Sequence, residues 1–211
     1  MTGSYFLVED HALMRQGIID YIAKHSGYVC SGKAANAGEF LSAMAGSDKV
    51  LPDILITDLG LGDDSKQGLS LIHTCRKQFP GIKILVYSMY NDPGTVKAAM
   101  HAGADGYVCK DSEESSIVAG LDAVQQGRRY IDPSVAATVV MLDQILSVFT
   151  TREKEILNLI MRDKTNAEIA EQLGVQKRAV ENYISRIYSK SGMSSREELR
   201  RYWKTKAAIT R

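Results

Sequence analysis

An α/β domain built on a five-stranded parallel sheet, followed by a linker with one helix and then an all-α domain, is the fold class this sequence predicts. Three observations predict it. Short β-branched runs alternate with longer segments of helical spacing through residues 4–126. The runs are apolar at consecutive positions, which is how strands covered by helices on both faces read. From Thr150 onward no strand signal appears and only helical spacing remains. These changes of pattern divide the chain into residues 1–127, 128–147 and 148–211.

Each element has its own signal. YFLVE at residues 5–9 reads as the first strand, and Met14, Ile18, Ile19 and Ile22 then recur at helical spacing. Gly27 precedes YVCSGKA, the second strand, after which Phe40, Leu41 and Met44 mark a helix. ILITD at 54–58 is the third strand, with Leu69, Ile72 and Cys75 on the helix behind it. Pro80 and Gly81 break the chain before KILVYS, and Gly103 and Gly106 punctuate the approach to GYVC, the fifth strand. A helix around Ser115 to Gln126 closes the domain. RRYIDP then reads as a short turn, and Pro133 is placed to open a linker helix through about Leu146. Four helices follow, at about Thr151 to Met161, Asn166 to Leu173, Gln176 to Ser191 and Ser195 to Trp203. Thr151 with Arg152, Glu153 and Lys154 resembles a capped start, and Gly174 and Gly192 sit at stops.

Composition narrows the function. At 45% hydrophobic residues the 211-residue chain is too apolar for a disordered protein. Its longest apolar stretches, such as Val135 to Leu142 with a Thr inside, fall short of the roughly 20 residues a membrane span needs. No secretion signal precedes the first strand, so the expected location is cytoplasmic. Cys30, Cys75 and Cys109 are odd in number and lack CxxC spacing, which suggests reduced packing residues and neither a disulfide framework nor a zinc site. The net charge of +1 hides an asymmetry: residues 1–127 carry 10 Lys and Arg against 15 Asp and Glu, whereas residues 148–211 carry 14 against 8. Only the C-terminal segment therefore suits a polyanion such as nucleic acid.

In an open parallel sheet the ligand site lies beyond the carboxyl ends of the strands. Glu9 and Asp10 end the first strand, Asp58 the third and Ser88 the fourth, and Lys110 follows the fifth. Three carboxylates, a hydroxyl and an ammonium thus converge on one edge from separate segments. Crowded carboxylates need a cation, and an oxygen donor set suits Mg²⁺. Asp63 and Asp64 also lie nearby, but a loop of Asp, Ser and Gly is more simply a turn.

LVEDH, ILITDLG, the Ser of VYSM and GYVCKD together make residues 4–126 resemble the receiver domain of two-component response regulators, a flavodoxin-like (CheY-like) fold. The resemblance implies that Asp58 accepts a phosphoryl group from a sensor histidine kinase. It implies Mg²⁺ held by Glu9, Asp10, Asp58 and the backbone carbonyl of Gly60, with Lys110 and Ser88 contacting the phosphoryl group. Tyr107 matches the switch aromatic that moves with Ser88. Gly60 and Tyr90 match positions that line water access, and the loop LGLGDDSKQG departs from the usual Met-Pro step there.

Ala170, Gly174 and Val180 have the spacing of a helix-turn-helix, which needs a small residue at the helix contact, a turn residue tolerant of positive φ and an apolar anchor. Ile169, Leu173, Val180, Ile184 and Ile187 face a core, leaving Lys177, Arg178, Glu181, Asn182, Ser185 and Arg186 on the opposite face. The stretch from about Phe149 to Trp203 is similar to the LuxR-type helix-turn-helix of the NarL/FixJ group. That resemblance implies base-edge contacts from Glu181, Asn182 and Ser185. It implies backbone contacts from Thr165, Asn166, Lys177, Arg178, Tyr183, Arg186 and Lys190. Asp163 replaces a common Gly, Gln176 a common Ser or Thr cap, and Tyr183 a common His.

The expectation is a transcription regulator, not an enzyme, whose phosphorylation at Asp58 controls dimerisation and binding of double-stranded DNA, with no membrane partner. Two rivals remain: a regulator controlled by a partner or ligand, its receiver serving only for dimerisation, and an aspartyl-phosphate phosphatase. The second needs an acid two residues beyond its nucleophile, where this chain has Gly60.

Overall fold

The computed structural model describes residues 2–46, 50–62 and 66–201, in two compact units, Met1–Ala137 and Thr138–Arg211. In the first unit β1 (Thr2–Val8), β2 (Gly27–Ala34), β3 (Ile54–Thr57), β4 (Lys83–Ser88), β5 (Gly106–Cys109) and β6 (Tyr130–Ile131) form a sheet in the order β2-β1-β3-β4-β5-β6. Every pairing is parallel. The helices α1 (Ala12–His25), α2 (Ala37–Met44), α3 (Lys66–Gln78), α4 (Pro93–Ala102) and α5 (Ser115–Gln125) connect the first five strands and close the domain.

The sheet has one strand more than expected. β6 falls in the segment read as a turn, and it pairs Tyr130 with Gly106 and Tyr107 with Ile131. Two residues are too few to show a period, so the strand exists only because α5 returns the chain alongside β5. Its flanks are tied there by Tyr130 N to Asp105 O at 3.2 Å and Asp132 N to Tyr107 O at 2.9 Å.

All four residues of β3 and all four of β5 are buried, as continuous apolar strands require. Tyr5, Leu7, Ile54, Ile56, Leu85 and Val108 meet Ile18 and Ile22 of α1 and Ile117, Leu121 and Val124 of α5 in one core cluster. Phe6 meets Phe40 edge to face at 5.1 Å, and Phe40 meets Phe79 at 6.4 Å. Cys75 and Cys109 are buried and Cys30 is partly so, all as free thiols.

The second unit contains α7 (Thr151–Met161), α8 (Asn166–Leu173) and α9 (Lys177–Ser191), and residues 196–201 are also helical. Trp203, in the last helix expected from the sequence, lies outside the described residues. The helix α6 (Pro133–Ser147) begins in the first unit and ends in the second. The cap of α7 is Thr150 and not Thr151: its hydroxyl accepts from Glu153 N, and Glu153 reaches back to Thr150 N. Thr165 and Glu168 repeat this box at α8. Gln176 makes no side-chain cap to α9. Phe149, Ile156, Ile160, Ile169, Val180, Ile184, Ile187 and Leu199 lie in one core cluster. Gly174, between α8 and α9, has φ +63°, the left-handed turn its place in the motif requires.

Among the described residues no helix is long and apolar enough to cross a membrane.

Candidate functional site

Parallel register brings the strand ends to one edge. Val8 is level with Thr57, Thr57 with Val86, and Ser88 with Cys109, so Glu9, Asp10, Asp58, Ser88 and Lys110 emerge together. Lys110 binds two of the carboxylates: its Nζ stands 2.6 Å from Glu9 Oε2 and 2.7 Å from Asp58 Oδ2. The lysine side chain is 3% exposed, Glu9 1% and Asp58 8%, so the network is nearly dry. Burial pushes the Lys110 pKa down, but the hydrogen bonds it donates to Asp58 and Glu9 outweigh it and leave the ammonium above its usual range. The other oxygen of Asp58 accepts from Leu59 N at 2.6 Å and Gly60 N at 3.2 Å, which fixes the plane of the carboxylate.

Glu9, Asp10 and His11 form a second group, with one ligand atom from each lying within 4.8 Å of the others. Asp58 does not join that group and is linked to Glu9 through Lys110. Asp10 Oδ2 accepts from Gly62 N at 3.1 Å, and His11 Nδ1 stands 2.8 Å from Asp10 Oδ1. Burial pushes Asp10 up, yet the Gly62 hydrogen bond and His11 hold it below the usual carboxylate range. Arg15 donates to the backbone carbonyls of Glu9 and Asp10. Asp63 and Asp64 lie outside the described residues.

Ser88 is fully buried, and among the described residues its Oγ meets no partner in good hydrogen-bond geometry, the Tyr107 hydroxyl being the polar group beside it. Tyr107 is equally buried, its ring turned inward and its hydroxyl donating to the Tyr90 carbonyl. Burial holds that hydroxyl far above the usual tyrosine pKa. A Cβ on Gly60 would lie 3.6 Å from the Tyr90 ring and 3.9 Å from Asp58 Oδ2, so Tyr90 borders the mouth of the site.

In the second unit Lys177, Arg178, Glu181, Asn182, Ser185 and Arg186 are exposed on α9, and Tyr183 is half-buried with the Arg186 guanidinium 5.8 Å from its ring. Thr165, Asn166, Lys177 and Glu181 line a groove of about 430 Å³ together with Tyr188 and Arg196. Arg196 donates to Asn166 Oδ1 at 3.1 Å. Lys190, for which a backbone contact was also implied, has its ammonium 2.6 Å from Oε2 of the buried Glu153 in its own unit. A buried carboxylate competes for a cation more strongly than a solvated one.

Residues 5–122 match the response regulator receiver domain, and residues 147–203 match the bacterial regulatory proteins of the luxR family. The chain is a response regulator of the LuxR family. The DNA-binding transcriptional activator DevR/DosR of Mycobacterium tuberculosis is 29% identical over 200 residues, covering 92% of this chain and 90% of that protein. The response regulator protein VraR of Staphylococcus aureus is 27% identical and covers 94% of each chain. Among solved structures, a LuxR-family two-component response regulator from Aurantimonas matches 67% of this chain and 97% of its own at 30% identity, with a TM-score of 0.62. The RcsB–DNA complex matches 97% of this chain and 99% of its own with a TM-score of 0.66; at 22% identity that likeness concerns the fold. This response regulator is thus a DNA-binding transcription regulator with a receiver domain, as the sequence suggested.

His11, Arg15, Gly62 and Arg196 carry no motif that marks them in the sequence. The only signal that His11 and Arg15 offer is that they closely follow the acidic pair. Gly62 has φ +69°, which a loop of unknown conformation does not announce.

Proposed function

We propose that this response regulator accepts a phosphoryl group on Asp58 from a phosphohistidine of a sensor kinase, and that the modification governs dimerisation and DNA binding. The observation that carries the reading is Lys110 between Asp58 and Glu9, with the buried Ser88 hydroxyl on the same edge. The Asp58 carboxylate attacks phosphorus, the oxygen–phosphorus bond forms as the phosphorus–nitrogen bond breaks, and the departing imidazole nitrogen keeps the electron pair and takes a proton. Hydrogen bonds from Leu59 N and Gly60 N aim the carboxylate. Lys110 sits where an added phosphoryl oxygen needs a cation, and Ser88 has a hydroxyl to donate.

The donor set fits Mg²⁺: hard carboxylate oxygens from Glu9, Asp10 and Asp58 and the Gly60 carbonyl outnumber the single Lys110 ammonium. When bound, the ion supplies neutralisation of the phosphoryl oxygens. A docking surface for the kinase adjoins the site. Leu13 is 91% exposed, and a groove of about 320 Å³ runs past Met14, Ile18, Tyr21, Tyr87 and Ile117. The Lys110 ammonium also lies 5.9 Å from the centre of the Tyr87 ring.

On DNA, Glu181, Asn182 and Ser185 face base edges, and Thr165, Asn166, Lys177, Arg178, Tyr183 and Arg186 face the backbone. Two copies on adjacent half-sites supply the specificity one helix lacks. Binding selection with Mg²⁺ and a small phosphodonor tests the whole reading. Wild type should gain one phosphoryl group by intact mass and enrich a two-fold symmetric site, and Asp58→Asn should do neither. Equal enrichment by both proteins would remove Asp58 as the switch.

A further inference from the structure

We infer that His11 is a metal-selectivity residue: together with Glu9 and Asp10 it lets this site take a later first-row divalent ion, such as Co²⁺, more tightly than an all-oxygen site could. The inference rests on the reading that Glu9 and Asp10 hold a divalent ion.

Three observations support it. His11 is the N-cap of α1, yet its side chain makes no cap to that helix. The imidazole is instead turned onto the acidic pair, with Nδ1 2.8 Å from Asp10 Oδ1 and 3.4 Å from Glu9 Oε1. One ligand atom from each of the three residues lies within 4.8 Å of the others, a span one ion can bridge with modest side-chain rotation. Backbone contacts hold the pair in place: His11 N donates to Glu9 Oε1 at 3.2 Å, Gly62 N to Asp10 Oδ2 at 3.1 Å, and Arg15 to the carbonyls of both.

The chemistry follows from the donor atoms. Mg²⁺ prefers oxygen and gains little from an imidazole, whereas the later first-row ions gain affinity from nitrogen in the order that ends at copper. Nδ1 of His11 faces Asp10 Oδ1 at 2.8 Å, so the neutral ring with its proton on Nε2 offers the Nδ1 lone pair to an ion shared with the carboxylates. Three side chains from consecutive residues leave the outer coordination positions open, so a phosphoryl oxygen can still reach the ion.

The test is calorimetric titration of the full chain with Mg²⁺ and, separately, with Co²⁺, followed also by the visible absorption of Co²⁺. The variants are His11→Asn and Asp10→Asn. His11 is 75% exposed and Asn is a good N-cap, so His11→Asn keeps the fold. The expected result is a loss of about 10- to 100-fold in Co²⁺ affinity in His11→Asn. Mg²⁺ affinity should stay within about twofold, as for a non-ligand position. Asp10→Asn should weaken both ions, which places them at this site. If His11→Asn leaves Co²⁺ affinity unchanged, or lowers both affinities alike, His11 is not a selective ligand while the Mg²⁺ reading stands. If wild type binds neither ion, or if Asp10→Asn binds both as wild type does, the reading of the acidic pair falls and the inference with it.

Discussion

Lys190 donates to Glu153 at 2.6 Å, and the glutamate is almost wholly buried. The same carboxylate closes the capping box of α7, so one side chain ties the start of α7 to the end of α9. Lys190→Met should lower the stability of this unit by about 1–2 kcal/mol, less than a fully buried pair because the lysine is partly exposed. Burial pushes Glu153 up, but Lys190 and Thr150 prevail and hold its pKa below the usual range. A depressed carboxylate stabilises above its unfolded pKa and loses that stabilisation as pH falls through its folded pKa. The gap between wild type and variant, measured by chemical denaturation, should therefore be widest near neutrality and close below about pH 4.5.

The held lysine also bears on DNA. Arg178→Ala should reduce the slope of log affinity against log salt by about one, as loss of a phosphate contact does. Lys190→Met should leave that slope unchanged in fluorescence anisotropy titrations. An equal reduction in both variants would return Lys190 to the DNA backbone.

Asp163 has φ +63°, the only non-glycine residue at positive φ among the described residues, and pairs with Arg200. Its backbone explains why a Gly is common at the matching position. Asp163→Val should cost about 1–2 kcal/mol, since a β-branched residue resists this conformation. Asp163→Gly should cost less than about 0.5 kcal/mol, the lost exposed ion pair offsetting the relieved backbone. Thermal melts of the two variants should separate in that order.

Gly68, early in α3, lies against the strand end that carries Asp58. A Cβ there would stand 2.4 Å from Leu59 Cα and 2.6 Å from the Asp58 carbonyl, both backbone atoms that cannot swing aside. Gly68→Ala should cost about 1–3 kcal/mol through overpacking. It should also slow phosphorylation by a small phosphodonor, because relieving the clash moves Asp58 from Lys110.

Leu13 is a large apolar side chain left almost wholly in water, on the groove that Tyr87 also lines. Leu13→Lys should slow transfer from a phosphorylated kinase by about tenfold or more, as loss of an interface anchor does. It should leave phosphorylation by a small phosphodonor intact. Equal slowing with both donors, read by intact mass, would place the effect in the site.

The legible part of this protein is what short range and repetition encode. Helical spacing marked the bounds of α7 and α8, with Gly174 as a stop, although the cap of α7 is Thr150 and not the Thr151 that the pattern suggested. Asp58, Glu9, Asp10, Ser88 and Lys110 were legible because each stands at a strand end, and parallel strands place such ends on one edge. β6 was not legible, because two residues carry no period and its pairing depends on the chain returning beside β5.

What the sequence by itself determined is therefore the α/β unit, the helical basic unit and the set of side chains at the sheet edge, all consequences of apolar period, turn residues and charge. Only the tertiary structure decided how those side chains are paired. Lys110 between Asp58 and Glu9, Lys190 on Glu153 and Tyr107 bound to the Tyr90 carbonyl each join residues by distance in space. A buried charge or hydroxyl takes the nearest partner that replaces its lost water, and which partner is nearest is settled by packing.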